Sequence, residues 1–219
     1  MKNSKEIILK KIQEGLSNIP HKALLNSETV DPIDDYEIFI ESEEEIDILF
    51  AKEFKKLSGK FLFCEDIFEF KEMFLQLKTN EKWENFYIED AKINKLFNQL
   101  NISLASDNIL KNCHASISTC ETLVARTGTI IISSEQQGGR TTNVYAPIHI
   151  CIAYSHQISL HLQTYLKKIK PKFEKKLLPS LITFISGPSR TADIEKTLVV
   201  GIHGPKEVYL FLIDSNNLI

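Results

Sequence analysis

The sequence predicts an α/β domain with a mostly parallel sheet flanked by helices, on three observations. From about residue 43 onward, short runs rich in Ile, Val, Thr and Phe alternate with amphipathic helical patterns, the arrangement that joins parallel strands through crossovers. The later runs are almost continuously apolar, as befits strands covered on both faces. At 219 residues the chain suits one such domain with an N-terminal elaboration, and it is large enough to bury a core without disulfide staples.

Element by element, residues 4–17 space Ile8, Ile12 and Leu16 four apart among lysines and glutamates, the pattern of a lone amphipathic helix. The polar stretch 26–35 contains Pro32 and reads as an extended arm, so residues 1–42 form an N-terminal helix and arm and 43–219 the α/β domain. A helix through Phe50 and Phe54, a strand at 60–64, a helix through Phe70 and Phe74, a strand at 85–88 and a helix through Ile93 and Phe97 follow. The second half is denser in strands, at 115–118, 129–133, 148–153, 181–186 and 207–214. A helix over 155–170 interrupts them and stops at Pro171. The runs Glu41–Glu45 and Lys167–Lys176 read as solvated helix faces.

Composition narrows function mainly by exclusion. With 26 basic and 29 acidic residues the net charge is -3, which supplies no general field for nucleic acid, so anion binding must be local. The opening residues lack a secretory pattern and no run approaches a membrane span, which gives an expectation of a cytoplasmic protein. Cys64, Cys113, Cys120 and Cys151 are scattered and read as buried reduced thiols; the alternative, a metal surrounded by Cys113, His114 and Cys120 or by His149 and Cys151, lacks zinc or iron–sulfur spacings, so no metal or cofactor is expected in this chain. Glycine-rich dinucleotide loops, the Walker lysine loop, the zinc-protease helix and the serine-hydrolase elbow are all missing from the sequence.

Two segments concentrate candidate anion chemistry. Residues 186–195 follow an apolar strand and open a helical pattern through Ile194 and Leu198. Gly187 permits close backbone approach, Ser189 and Thr191 can cap the helix, its free amides point at an anion, Arg190 can clamp a carboxylate or phosphate, and Asp193 stands favourably to the dipole. The second segment, with Gly138, Gly139, Arg140 and two threonines, follows the 129–133 strand and is either an amide nest for an oxyanion or an ordinary turn. Glu121 precedes that strand and is either a general base or one half of a structural ion pair. His203 sits in a turn before the last strand, within reach of a ligand or satisfied locally.

Taken together, Cys120-Glu121-Thr122-Leu123-Val124-Ala125-Arg126-Thr127-Gly128-Thr129, Gly138-Gly139-Arg140, Pro147-Ile148-His149-Ile150, the 187–195 run and His203-Gly204-Pro205 resemble the LUD domain of the lactate utilization protein C family, over about residues 43–214. The resemblance implies a fold similar to the ribose-5-phosphate isomerase, glucosamine-6-phosphate deaminase and CoA-transferase group. It also implies a part in oxidising L-lactate to pyruvate alongside iron–sulfur partner proteins, with the clusters in those partners and a small carboxylate or phosphate ligand here. Arg126 stands where many family members carry an acidic residue before Thr-Gly-Thr, which turns attention to Glu121. The alternative expectation is an isomerase- or transferase-like enzyme on a phosphorylated or CoA-linked metabolite, with Glu121 as base and Arg140 and Arg190 as clamps; fold kinship alone does not carry it.

Overall fold

Six strands, all parallel, form the central sheet of the computed structural model, in the order β1-β12-β7-β4-β2-β3. The structure describes residues 44–106, 110–175, 177–192 and 198–215, all within the unit Ser42–Ile219. The expected N-terminal helix and arm lie outside the described residues. In chain order the elements are α1 (Ile46–Lys56), β1 (Lys60–Cys64), α2 (Ile67–Asn80), β2 (Asn85–Ile88), α3 (Ala91–Gln99), β3 (Ala105–Ser106), β4 (Ala115–Ser118), β5 (Thr122–Val124), β6 (Thr129–Ser133), β7 (Ile148–Tyr154), β8 (Ile158–Ser159), α4 (Leu162–Glu174), β9 (Ile182–Ile185), β10 (Arg190–Ala192), β11 (Leu198–Val200) and β12 (Glu207–Ile213).

The twofold period of β12 shows how both faces of this sheet are covered. Tyr209, Phe211 and Ile213 point to one face, where Phe70 and Phe74 of α2 and Ile93 and Phe97 of α3 pack against them, and Phe70 meets Phe211 edge to face at 5.2 Å. Val208, Leu210 and Leu212 point to the other, against Phe50 and Phe54 of α1 and Leu123, Ile130 and Ile132 of a second sheet. Each large side chain buried this way contributes roughly 1.5–3 kcal/mol. Helix α2 starts where Asp66 accepts from the amides of Phe68 and Glu69 at 2.7 and 2.8 Å, and α3 where Asp90 accepts from Lys92 at 2.8 Å.

The second sheet, β8-β5-β6-β9, is mainly antiparallel, and its outer face holds Val124 and Ile131 against Tyr165 and Ile169 of α4. The domain is thus layered as helices, parallel sheet, second sheet with α1, and α4. Two expectations about this half need correction. The helix expected over 155–170 is broken: Ile158 and Ser159 pair with Leu123 and Val124 as β8, and α4 runs from Leu162 to Glu174 with Pro171 inside it. Pro171 falls in the last turn, where the carbonyl it leaves unbonded can turn to solvent, so the helix continues past it. Strand β9 is an edge strand whose Phe184 is half exposed, rather than a strand covered on both faces.

Gly128 fixes how α1 sits on the second sheet. Its φ is +54°, and a Cβ there would lie 2.4 Å from the backbone nitrogen of Phe54. Gly128→Ala is expected to cost at least about 2 kcal/mol, through the left-handed backbone and the forced retreat of α1, measured by urea unfolding.

Strand β7 carries one imidazole into the core. His149 is fully buried, and burial holds its pKa down at about 4. The unfolded imidazole titrates near 6.5, so from there down to about 4 the unfolded chain binds more protons and stability falls with pH. This one group accounts for about 3 kcal/mol across that window. His149→Gln is expected to flatten that part of the stability–pH profile in urea titrations; an unchanged slope would mean that the imidazole is not held neutral.

Candidate functional site

Among the described residues no helix follows the 181–186 strand, where the sequence predicts one. Residues Arg190–Ala192 form β10, antiparallel to Leu198–Val200 as β11, with Arg190 opposite Val200, Thr191 opposite Val199 and Ala192 opposite Leu198. An extended strand turns successive amides to opposite sides, so the fan of free amides on which a helix-terminus anion site depends is absent from 190–192. Asp193 lies outside the described residues.

Within this segment the signature residues serve packing. Gly187 has φ +138°, and a Cβ would lie 2.4 Å from the Leu57 carbonyl oxygen, so glycine lets the turn lie on the end of α1. Arg190 donates to the Leu57 carbonyl at 2.9 Å and to Ser58 Oγ at 2.6 Å, engaging the C-terminus of α1 where a cation also complements the helix dipole. Ser189 is tied through its backbone, donating to the Pro205 carbonyl at 2.9 Å and accepting from Gly201 at 3.0 Å.

The 134–147 segment runs along the same sheet from its carboxyl edge toward its amino edge. Near the start, Gln137 Oε1 accepts from the Ala91 amide at 2.8 Å, Gln136 Nε2 donates to Thr119 Oγ1 at 3.0 Å, and Thr119 in turn donates to Asp90 at 2.6 Å. Gly138 lies against Glu89, and Gly139 against the Ser133 carbonyl. Arg140 donates to Ser180 Oγ and is exposed. The two arginines read as joint clamps are therefore bound to different elements, Arg140 ahead of β9 and Arg190 at the end of α1.

Glu121 lies at the carboxyl ends of the parallel strands, where open α/β sheets place their ligands. It follows β4, and its carboxylate accepts from Ser133 Oγ at 2.7 Å. The chain after β7 is bound across to it: Gln157 Nε2 donates to the Cys120 carbonyl at 2.8 Å, and Thr122 Oγ1 donates to the Gln157 carbonyl at 2.7 Å. Between these strand ends and α4 opens a crevice of about 360 Å³, lined among others by Glu121, His156, Ser159, Thr164, Tyr165 and Lys168. Burial, and then the charges of Glu121 and Glu135, push the Tyr165 hydroxyl up to about 12, so it remains a proton donor at neutral pH. A carboxylate, a lysine ammonium, a protonated phenol and an imidazole facing one space can hold a small anion and accept a proton from it.

His203 lies elsewhere, in the turn before β12, as the sequence suggests. With Tyr145, Ile202 and Lys206 it lines a cleft of about 480 Å³ at the amino ends of β7 and β12. That is the opposite edge of the parallel sheet from Glu121.

Sequence reasoning did not single out Tyr165, Lys168 or His156. Tyr165 and Lys168 are three apart, a spacing that puts both on one side of a helix, but the lysine-rich stretch invites a reading as solvated face. It also passed over Ser116 and Ser118 and did not join them to His149, although their two-residue alternation within apolar strands marks a polar stripe on one face of the sheet. Ser118 Oγ and His149 Nε2 are 2.8 Å apart, and both residues are buried.

The four cysteines are free thiols and buried. Among the described residues no three His, Cys, Asp or Glu side chains are grouped to hold a metal ion, and no helix is long and apolar enough to cross a membrane.

Comparison with known proteins gives a consistent relationship. The chain is 35% identical over 118 residues to a protein named Lactate utilization protein C from Geobacillus thermodenitrificans, covering 52% of this chain and 49% of that protein. It is 31% identical over 149 residues to Lactate utilization protein C from Bacillus licheniformis, covering 66% of this chain and 59% of that protein. The chain thus spans about half the length of the curated relatives it matches. A crystal structure of a DUF162 family protein from Deinococcus radiodurans superimposes with TM-score 0.59 at 17% identity, covering 80% of this chain and 99% of that one, a likeness of fold. The LUD domain profile matches residues 5–213, nearly the whole length, and the chain belongs to the LUD domain family.

Proposed function

We propose that this chain serves lactate utilization as a LUD-domain subunit that binds a small carboxylate, L-lactate or pyruvate, in the crevice beside Glu121. The observation that carries the reading is the convergence of Glu121, Tyr165 and Lys168 on one space at the carboxyl ends of β4 and β7. The printed names of the relatives point to the metabolite. Oxidising lactate to pyruvate breaks the hydroxyl O–H and the C2–H bonds, forms the ketone and releases two protons and two electrons. The two electrons would pass to iron–sulfur partner proteins, and the C2 proton would pass to solvent. This chain's own residues bind and orient: Lys168 pairs with the carboxylate, the Tyr165 hydroxyl donates to it, and Glu121 accepts the hydroxyl proton.

Calorimetric titration with L-lactate and pyruvate tests the reading. Lys168→Ala is expected to weaken binding about tenfold, the loss of one charge-assisted hydrogen bond. Glu121→Gln is expected to hold affinity within about twofold while slowing lactate-dependent reduction of an acceptor by the complex assembled with its partners. Arg190→Gln is expected to lower stability by about 1 kcal/mol through the loss of its hydrogen bonds to the α1 terminus, and to leave affinity unchanged. Unaltered affinity in Lys168→Ala with lost affinity in Arg190→Gln would return the site to the Gly187 turn and overturn the proposal.

A further inference from the structure

Strand β9 leaves one side of the second sheet open. It is the last strand in the order β8-β5-β6-β9, and among the described residues no strand pairs with its outer edge. An antiparallel ladder alternates between residues bonded to the partner strand and residues whose amide and carbonyl point away from it. The Ser134 amide donates to the Leu181 carbonyl at 2.9 Å, and Ser133 stands opposite Ile182. That phase makes Thr183 and Ile185 the residues bonded to β6, and it turns the amides and carbonyls of Ile182 and Phe184 outward. Exposed edges are commonly blunted by Lys or Pro, and Ile182-Thr183-Phe184-Ile185 carries neither.

The surface beside that edge is apolar with basic residues along it. Ile131 and Ile182 pack with Tyr165 and Ile169 on the α4 side of the sheet. Phe184, two residues after Ile182, projects to the same side and is 49% exposed. Between α4 and β9 runs a groove of about 380 Å³ lined by Leu166, Ile169, Leu178 and Ile182 together with Lys167 and Lys170. Gln163, Lys167 and Lys170, spaced four and three apart, share one side of α4, whereas Lys168 lines the Glu121 crevice. No carboxylate is among the described residues that line the groove.

Each of these features selects its occupant. An open strand edge takes an extended chain, an apolar groove takes apolar side chains, and lysines with no carboxylate beside them in the lining take acidic ones. We infer that β9 and α4 form a docking face for a partner protein, which adds an extended segment to the edge of β9 and places apolar side chains flanked by Asp or Glu in the groove. A second copy of this chain suits the face less, because a twofold contact sets one patch against itself and lysine would meet lysine. The docking face and the carboxylate crevice use different sides of α4, so each stands by its own test.

That test uses the full chain and the capped peptide Glu-Thr-Leu-Thr-Leu-Thr-Glu, which when extended puts two leucines between two glutamates on one face. Amide hydrogen exchange followed by NMR is expected to show Ile182 and Phe184 exchanging freely in the protein alone. At saturating peptide both are expected to slow at least about tenfold, with Thr183 and Ile185 little changed. Lys167→Glu/Lys170→Glu is expected to weaken peptide binding at least about tenfold in fluorescence anisotropy, and a peptide with lysines in place of the glutamates is expected to bind that variant and not the parent. The glutamate peptide N-methylated on every amide keeps its side chains, loses its pairing donors and is expected not to bind. Equal affinity for the glutamate and lysine peptides would overturn the inference, as would undiminished binding of the N-methylated peptide or unslowed Ile182 and Phe184 at millimolar peptide. Slow exchange of those two amides in the protein alone would give the edge to a second copy or to another part of the chain, and would overturn it too.

Discussion

Burial of the parallel sheet on both faces is the constraint from which the rest follows. Every residue of β12 after Glu207 is buried, and β7 beside it is buried from His149 to Ala153. Strands in that position have no solvent face to relieve a polar group, so each one must be met by a specific partner. Ser116 and Ser118 are met in this way, by the Thr142 carbonyl and by His149 Nε2. They occupy the part of the sheet face over which the 134–147 segment lies, beside the apolar cover given by α1 and the second sheet.

The same layering decides where a ligand can be held. The second sheet packs so closely on the first that Glu121, leaving β4, is turned toward α4, while Gln157 closes the gap behind it. The crevice is thus a product of two strand ends and one helix rather than of any one loop. That is why its Lys168 and Tyr165 come from a stretch more than 40 positions along the chain from Glu121. The family signature around Gly187, by contrast, joins the second sheet to α1. Its glycine and arginine are as specific in chemistry as a binding motif, because close backbone approach and recognition of carbonyl oxygens are also what a helix terminus requires.

Much of the architecture was legible in the sequence. The alternation of Phe50, Phe54, Phe70, Phe74, Ile93 and Phe97 with short strands reports a local period, and each of those helices forms where the period puts it. What local period does not report is which strand pairs with which. Residues 190–200 carry a capped-helix pattern with Asp193 and Glu195, yet Arg190 to Ala192 and Leu198 to Val200 pair with each other as strands, and tertiary pairing overrode the propensity. For the same reason Glu121 was found as a residue but not its companions, since nothing in a lysine-rich helix distinguishes a lysine that borders the crevice. Arg140 and Arg190 were read as partners because both follow glycines near strand ends, and only the sheet order shows that they serve different elements.

The account rests on a carboxylate being held between β4, β7 and α4. The most direct measurement is a crystal structure of the protein soaked in L-lactate. The expected result is lactate density in the Glu121 crevice, its carboxylate within hydrogen-bonding distance of Lys168 Nζ and its hydroxyl facing Glu121. Lactate bound instead in the cleft beside His203, or against the Gly187 turn, with the crevice filled only by solvent, would contradict it.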